Sequence, residues 1–199
     1  LFYFSSKALF LLMYVIVLPV IICTKDILQI WLGEVGEYMV VFVQLSLIYT
    51  IILIISYPIT AIIQAGGNVK LYHGVVDGFS LVTLPIIYIL FRFNFSAYWA
   101  YLVSIVVFGI AHILRLYVLK KEFSYFSIHN YIRQFIVPSI IVVLISFFIM
   151  VPIKIYMPQG LIWVLITCAI SSLVAIIAGT LIVLSKSDRK MIFNMIIKR

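Results

Sequence analysis

Apolar residues fill six long stretches of this chain, roughly Lys7–Thr24, Tyr38–Gln64, Val69–Phe91, Tyr98–Leu119, Phe135–Val151 and Leu161–Leu184. The charges fall almost wholly between them. A bilayer span needs about 20 mostly apolar residues. Five of the six stretches reach that length or nearly so, and Phe135–Val151, the shortest, counts as a span because its neighbours leave it nowhere else to go. In lipid every backbone N–H and C=O must be bonded within the segment, so apolar runs of this length are helices. The pattern predicts an all-α, polytopic transmembrane helix bundle of six spans.

Polar residues recur at helical spacing inside these spans. In the second, Ser46, Thr50, Tyr57, Thr60 and Gln64 share one narrow face. Such a stripe either packs against a neighbouring helix or lines a cavity. In the third, Lys70, His73, Asp77, Ser80 and Tyr88 share a face. A carboxylate inside a span is costly and points to function. His73 precedes Asp77 by four residues, so the two can pair on consecutive turns and carry a proton as a coupling pair facing the protein interior. The plainer reading pairs Asp77 with Lys70 or His73 near the headgroups. Pro58 and Pro85 are expected to bend their helices around a central crevice.

The fourth span places Tyr98, Tyr101, Ser104, His112 and Arg115 on one face. Arg115 either snorkels to the interface or presents its planar fork to a phosphate; its position near Lys120 and Lys121 favours snorkelling. In the sixth, Thr167, Ser171, Ala175 and Gly179 form a ladder of small residues, the pattern of close helix packing. The fifth span is nearly featureless and is expected to face lipid.

Charge adds orientation. If the spans alternate, 11 of the 14 Lys and Arg residues fall on one side and three, Lys25, Arg92 and Lys154, on the other. The positive-inside rule makes the first side cytoplasmic, with both ends of the chain there. Asp26, Glu34 and Glu37 fall in the first outer loop, and Trp31, Trp99 and Trp163 sit at the outer interface. The net charge of +8 therefore concerns the two sides of a membrane and not nucleic acid. Residues 1–184 form the six-span bundle, and residues 185–199 read as a cytoplasmic amphipathic tail. In that tail Ser185 and Asp188 mark a helix start. Ile192, Met195 and Ile196 make an apolar face opposite Lys186, Lys190, Asn194 and Lys198, suited to anionic lipid. The opening Leu-Phe-Tyr-Phe has no basic leader and reads as part of a longer protein. The loops leave no room for a soluble domain.

Site chemistry is sparse. Cys23 and Cys168 support neither a disulfide nor a metal framework. His73, His112 and His129 form no ligand cluster with Cys or acids. Gly66-Gly67 is a turn, and neither a phosphate loop nor a nucleophile elbow occurs. No catalytic residue, metal or cofactor is expected, and the chain is not expected to be an enzyme.

The block Tyr57-Pro58-Ile59-Thr60-Ala61-Ile62-Ile63-Gln64-Ala65-Gly66-Gly67-Asn68-Val69-Lys70 resembles the region joining two spans in bacterial polysaccharide flippases. These are the O-antigen or capsule exporters of the MATE-like (MOP exporter) superfamily. Trp31-Leu32-Gly33, Leu84-Pro85-Ile86-Ile87-Tyr88, and Arg115-Leu116-Tyr117 followed by Lys120-Lys121 also match. So does the tail Leu184-Ser185-Lys186-Ser187-Asp188-Arg189-Lys190, whose usual second acid is replaced. Asp77 departs from the pattern, which has a small or apolar residue there.

The resemblance implies the C-terminal six spans of a transporter of about twelve to fourteen spans. It would lie in the bacterial inner membrane and need the N-terminal helices of the same protein to work. It would flip an undecaprenyl-diphosphate-linked oligosaccharide toward the periplasm, by two bundles rocking around a cationic cavity. Membrane lipids and the lipid-linked oligosaccharide are the implied partners. A cation-coupled multidrug exporter of the same superfamily would share the fold and favour an acid such as Asp77. An integral-membrane polysaccharide polymerase would need a long outer loop.

Overall fold

The computed structural model describes residues 2–66, 69–158 and 160–197, with side chains as far as Met191. Gly67 and Asn68 of the turn, Lys198, and the side chains of Ile192, Asn194, Met195 and Ile196 lie outside this description. Six helices are long and apolar enough to cross a membrane: α1 (Phe2–Leu32), α2 (Met39–Ala65), α3 (Val69–Arg92), α4 (Trp99–Glu122), α5 (Ile128–Tyr156) and α6 (Leu161–Ile182). A short α7 (Lys186–Ile197) follows. Among the described residues there is no strand. The chain is an all-α protein with the helices of a multi-pass membrane protein.

Two helices run well beyond their apolar stretches. α1 continues through Lys25, Asp26 and Gln29, so Asp26 stands on a helix and not in a loop. α5 begins seven residues before Phe135 and ends five after Val151, taking in Arg133, Gln134 and Lys154. Helical hydrogen bonding does not stop where lipid stops, so polar residues are carried at both ends. The expectation that α5 is short and faces only lipid is corrected. Tyr131, Phe135, Ser139, Val142, Ser146 and Met150 are buried along one of its faces.

α3 is irregular. Regular turns at Val69–Tyr72 give way to a π turn at His73–Asp77, then a short α segment, Gly78–Ser80. The helix breaks at Leu81 and Val82 and resumes at Thr83–Arg92. Proline explains the break. Pro85 has no N–H to give the Leu81 carbonyl, which accepts instead from the Leu84 N–H at 3.1 Å, tightening the turn. α2, by contrast, continues as helix through Pro58.

The chain packs as two compact units, Leu1–Trp31 with His129–Arg199, and Leu32–Ile128. In the first, α6 lays its small-residue ladder inward: Thr167, Ser171, Ala175 and Gly179 are all buried. Ser172 Oγ donates to the Val15 carbonyl of α1 at 3.2 Å. A Cβ at Gly179 would sit 2.3 Å from Leu11 Cδ2, so only a hydrogen fits this close approach. Gly179→Ile is expected to destabilise the protein by about 1–3 kcal/mol through overpacking, read as a lower Tm in detergent. Gly179→Ala should cost less, because the methyl it meets ends a flexible side chain.

The ends of the first unit are tied by ion pairs. Lys7 and Asp188 meet at 2.8 Å with side chains 5% and 16% exposed. Lys154 of α5 pairs with Asp26 of α1. Ser185 caps α7 as expected: its N–H donates to Asp188 Oδ2 at 2.9 Å, and its Oγ accepts the Asp188 N–H at 3.2 Å. Arg189 caps the end of α6, donating to the Leu184 and Leu181 carbonyls. In the second unit α2 lies along α4, and the segments of α3 pack against both.

Candidate functional site

The face where α2, α3 and α4 meet is apolar except for a short run of polar side chains. On α2, Ile59 and Ile63 are buried, with Ser56 in the same face; on α4, Val107, Ala111, Leu116 and Leu119 are buried with His112 and Arg115. Spacing by three and four residues puts these groups on one side of each helix.

The hydrogen bonds of this run have a direction. Ser56 Oγ donates to its own helix at the Ile52 carbonyl, 2.9 Å away, and lies 2.8 Å from His112 Nδ1. One hydroxyl proton cannot serve both, so Nδ1 carries the hydrogen that joins the two side chains. Thr60 Oγ1 donates to the Ser56 carbonyl at 3.1 Å and is 3.2 Å from the Tyr72 hydroxyl. Tyr72 must then donate to Thr60, and its oxygen accepts the Arg115 Nε–H at 3.3 Å. A chain results, Arg115 to Tyr72 to Thr60 to the α2 backbone, each bond polarised by the guanidinium at its head.

Arg115 is 6% exposed. Its Nη1 is buried and has no hydrogen-bond partner among the described residues. No carboxylate pairs with it there: the ion pairs are Lys7–Asp188, His73–Asp77 and Lys154–Asp26. The snorkelling expected from Lys120 and Lys121 is therefore corrected. The Arg115 stem points into the α2–α3–α4 face, where the Tyr72 hydroxyl holds it, while Lys120 and Lys121 are the exposed cations. Arginine keeps its proton under all ordinary conditions. The site thus holds a positive charge with donor capacity left over.

The remaining sequence candidates divide. On α2, Ser46 and Thr50 turn back onto their own helix, donating to the Val43 and Ser46 carbonyls at 2.8 Å each. Tyr57 and Gln64 are exposed. Only Thr60 of that stripe joins the polar run. Tyr101 packs edge-on against Phe42 and Tyr49, with ring centroids 4.8 and 6.0 Å away.

His73 and Asp77 pair as their spacing predicts, across the π turn. Their side chains are 55% and 48% exposed, so the expectation that both face the interior is not met. Lys70, the other expected partner of Asp77, is exposed and outside the pair.

Sequence reasoning missed Ser56 and Tyr72. Ser56 lies one residue off the expected stripe, and Tyr72 reads as one more aromatic in an apolar run. The signal for Tyr72 was its place three residues from Val69, where α3 enters the packed face. Among the described residues no group of His, Cys, Asp and Glu could hold a metal ion. Comparison of the chain with protein-family models, with characterised proteins and with solved structures finds no match.

Proposed function

We propose that this chain is the C-terminal part of a bacterial inner-membrane transporter that flips an undecaprenyl-diphosphate-linked oligosaccharide from the cytoplasmic to the outer leaflet by alternating access. One observation carries this reading: the buried Arg115 guanidinium, with a donor unspent and no carboxylate beside it. A charge left so in a low-dielectric site is costly. It is consistent with an anionic ligand, and a fork of N–H donors fits phosphate oxygens. Tyr72 and Thr60 supply hydroxyls next to it. The resemblance of the Tyr57–Lys70 block to polysaccharide flippases supports the same substrate class.

The test is flipping of a fluorescent polyprenyl-diphosphate oligosaccharide by the protein as its host makes it, in proteoliposomes. Protein-dependent movement of the diphosphate lipid is expected. Equal movement of a neutral polyprenyl glycoside would sink the reading.

A second reading has one observation in its favour. The acid Asp77, paired with His73 and half exposed, suits a cation-coupled multidrug exporter. In the flippase reading the same pair is the proton-coupling group. Asp77→Asn then leaves the protein in the membrane and removes gradient-driven export. Normal export at every external pH would make the pair structural.

Orientation follows the charge split. A single cysteine at Lys121, in a background lacking Cys23 and Cys168, is expected to resist an impermeant thiol reagent in intact cells. One at Glu34 should be labelled.

A further inference from the structure

A groove of about 320 Å³ opens where α1 leaves its apolar stretch and α6 begins. It is lined by Asp26, Gln29, Ile30, Gly160 and Val164. That is the small end of the roughly 300–1,000 Å³ spanned by ligand pockets, room for a single sugar ring. We propose that it binds a neutral pyranose, its hydroxyls taken by Asp26 and Gln29 and one face of its ring set against Trp163.

Three features of the groove converge. Asp26 and Gln29 are three residues apart and so lie on one side of α1. Lys154 engages Asp26 through Oδ2, leaving Oδ1 to accept from a hydroxyl and making the site neutral overall. A site without net charge favours an uncharged polyhydroxylated ligand over an ion. Gln29 adds one acceptor and two donors, the complement of adjacent sugar hydroxyls.

The opposite wall is aromatic and backbone. Gly160 has φ +136°, a conformation that side chains resist. A Cβ built there would sit 3.8 Å from Trp163 Cδ1, so the indole lies against the bare backbone of the groove. Trp163 is 40% exposed. Its π face is electron-rich and attracts the weakly positive C–H groups of a pyranose ring. An apolar platform facing a carboxylate and an amide is the chemistry of sugar binding.

Binding stands on the α1–α6 geometry alone. Only the identification of the sugar with a unit of the exported glycan rests on the function proposed above.

The experiment uses the protein in nanodiscs with Trp31→Phe and Trp99→Phe, so that Trp163 is the sole indole. Methyl glycosides of glucose, galactose and mannose are titrated against Trp163 fluorescence, with sorbitol as a polyol that has no ring. At least one glycoside is expected to give a saturable change, on the order of millimolar for so small a ligand, and sorbitol none. Gln29→Ala and Asp26→Asn should each weaken it about tenfold, the size of one lost hydrogen bond to a partner of this kind. Trp163→Phe, followed calorimetrically, should weaken it less than Trp163→Ala.

No saturable response to any glycoside overturns the proposal. So does an equal response to sorbitol, or saturation by sodium or potassium in place of sugar. Affinity unchanged in Gln29→Ala and Asp26→Asn does so as well. Because binding is read without transport, its loss leaves the anion reading at Arg115 standing. Absent flipping with sugar binding intact would count only against that reading.

Discussion

Arg115→Met should make the protein more stable and inactive. Removing a buried guanidinium that has no counter-charge relieves its desolvation, and replacements of buried charge by apolar side chains gain about 1–4 kcal/mol in favourable cases. The methionine stem follows the arginine path into the same face. Binding of a diphosphate lipid, however, loses a charge-assisted hydrogen bond of about 1.5–3 kcal/mol, roughly ten- to a hundredfold in affinity. Arg115→Lys keeps the charge but not the fork and should recover part of the binding. Tyr72→Phe keeps the ring, frees Arg115 Nε and breaks the bond to Thr60, so its effect on binding should fall between these. The measurements are Tm in detergent and binding of a fluorescent polyprenyl diphosphate. Stability falling in Arg115→Met, or binding unchanged, would show that the guanidinium is a structural strut.

The Lys7–Asp188 pair should give the largest loss of stability. Breaking a buried pair by removing one partner costs about 3–5 kcal/mol. The two ends are unequal. Asp188 without Lys7 keeps its bonds to Ser185 and 16% exposure, so Lys7→Met should cost the lower part of that range. Asp188→Asn strands an ammonium that is 5% exposed and should cost more. The double variant should recover much of the loss, which a cycle of the four proteins measures as coupling.

The pH dependence has a fixed sign. Burial pushes the Asp188 carboxyl up, but hydrogen bonds from Lys7 and Ser185, with the Lys7 charge, outweigh it and hold the group below its ordinary value of 3.8. A depressed carboxylate contributes stability above the unfolded pKa and loses it as pH falls through the folded one. Tail docking should therefore be flat between pH 5 and pH 8, and weaken only in stronger acid. A Tm difference between wild type and Asp188→Asn that shrinks within that window would remove the assignment.

Much of this fold could be read from the chain. Six apolar runs, alternating charge and the Ser185–Asp188 start of α7 all appear where the pattern put them, because each depends on local rules: bilayer thickness, helical bonding and capping. The Thr167–Gly179 ladder was legible for the same reason, since small residues every fourth position serve close approach and little else. Where contacts between helices decide, the pattern failed. Ser46 and Thr50 looked like part of a cavity face and bond to their own backbone, an outlet that spacing cannot reveal. Arg115 looked like an interfacial cation because its neighbours in sequence are lysines. Its burial depends on Tyr72, 43 residues away. The buried serines of α5 were invisible in a run of isoleucine, valine and phenylalanine.

The π turn of α3 makes that helix a rotary joint. Such a turn holds one residue more than a regular helix uses over the same stretch. Losing that residue would swing everything after it by about 100° around the axis, carrying Ser80 and Tyr88 to a new side while Tyr72, just before the turn, stayed bound to Thr60 and Arg115. His73 and Asp77 are the two ends of the turn, so the proton they share and the angle of the outer half of α3 are mechanically one variable. Deletion of Val75 should impose the rotated state permanently, and a structure of that variant with Ser80 still near its present bearing would refute the coupling.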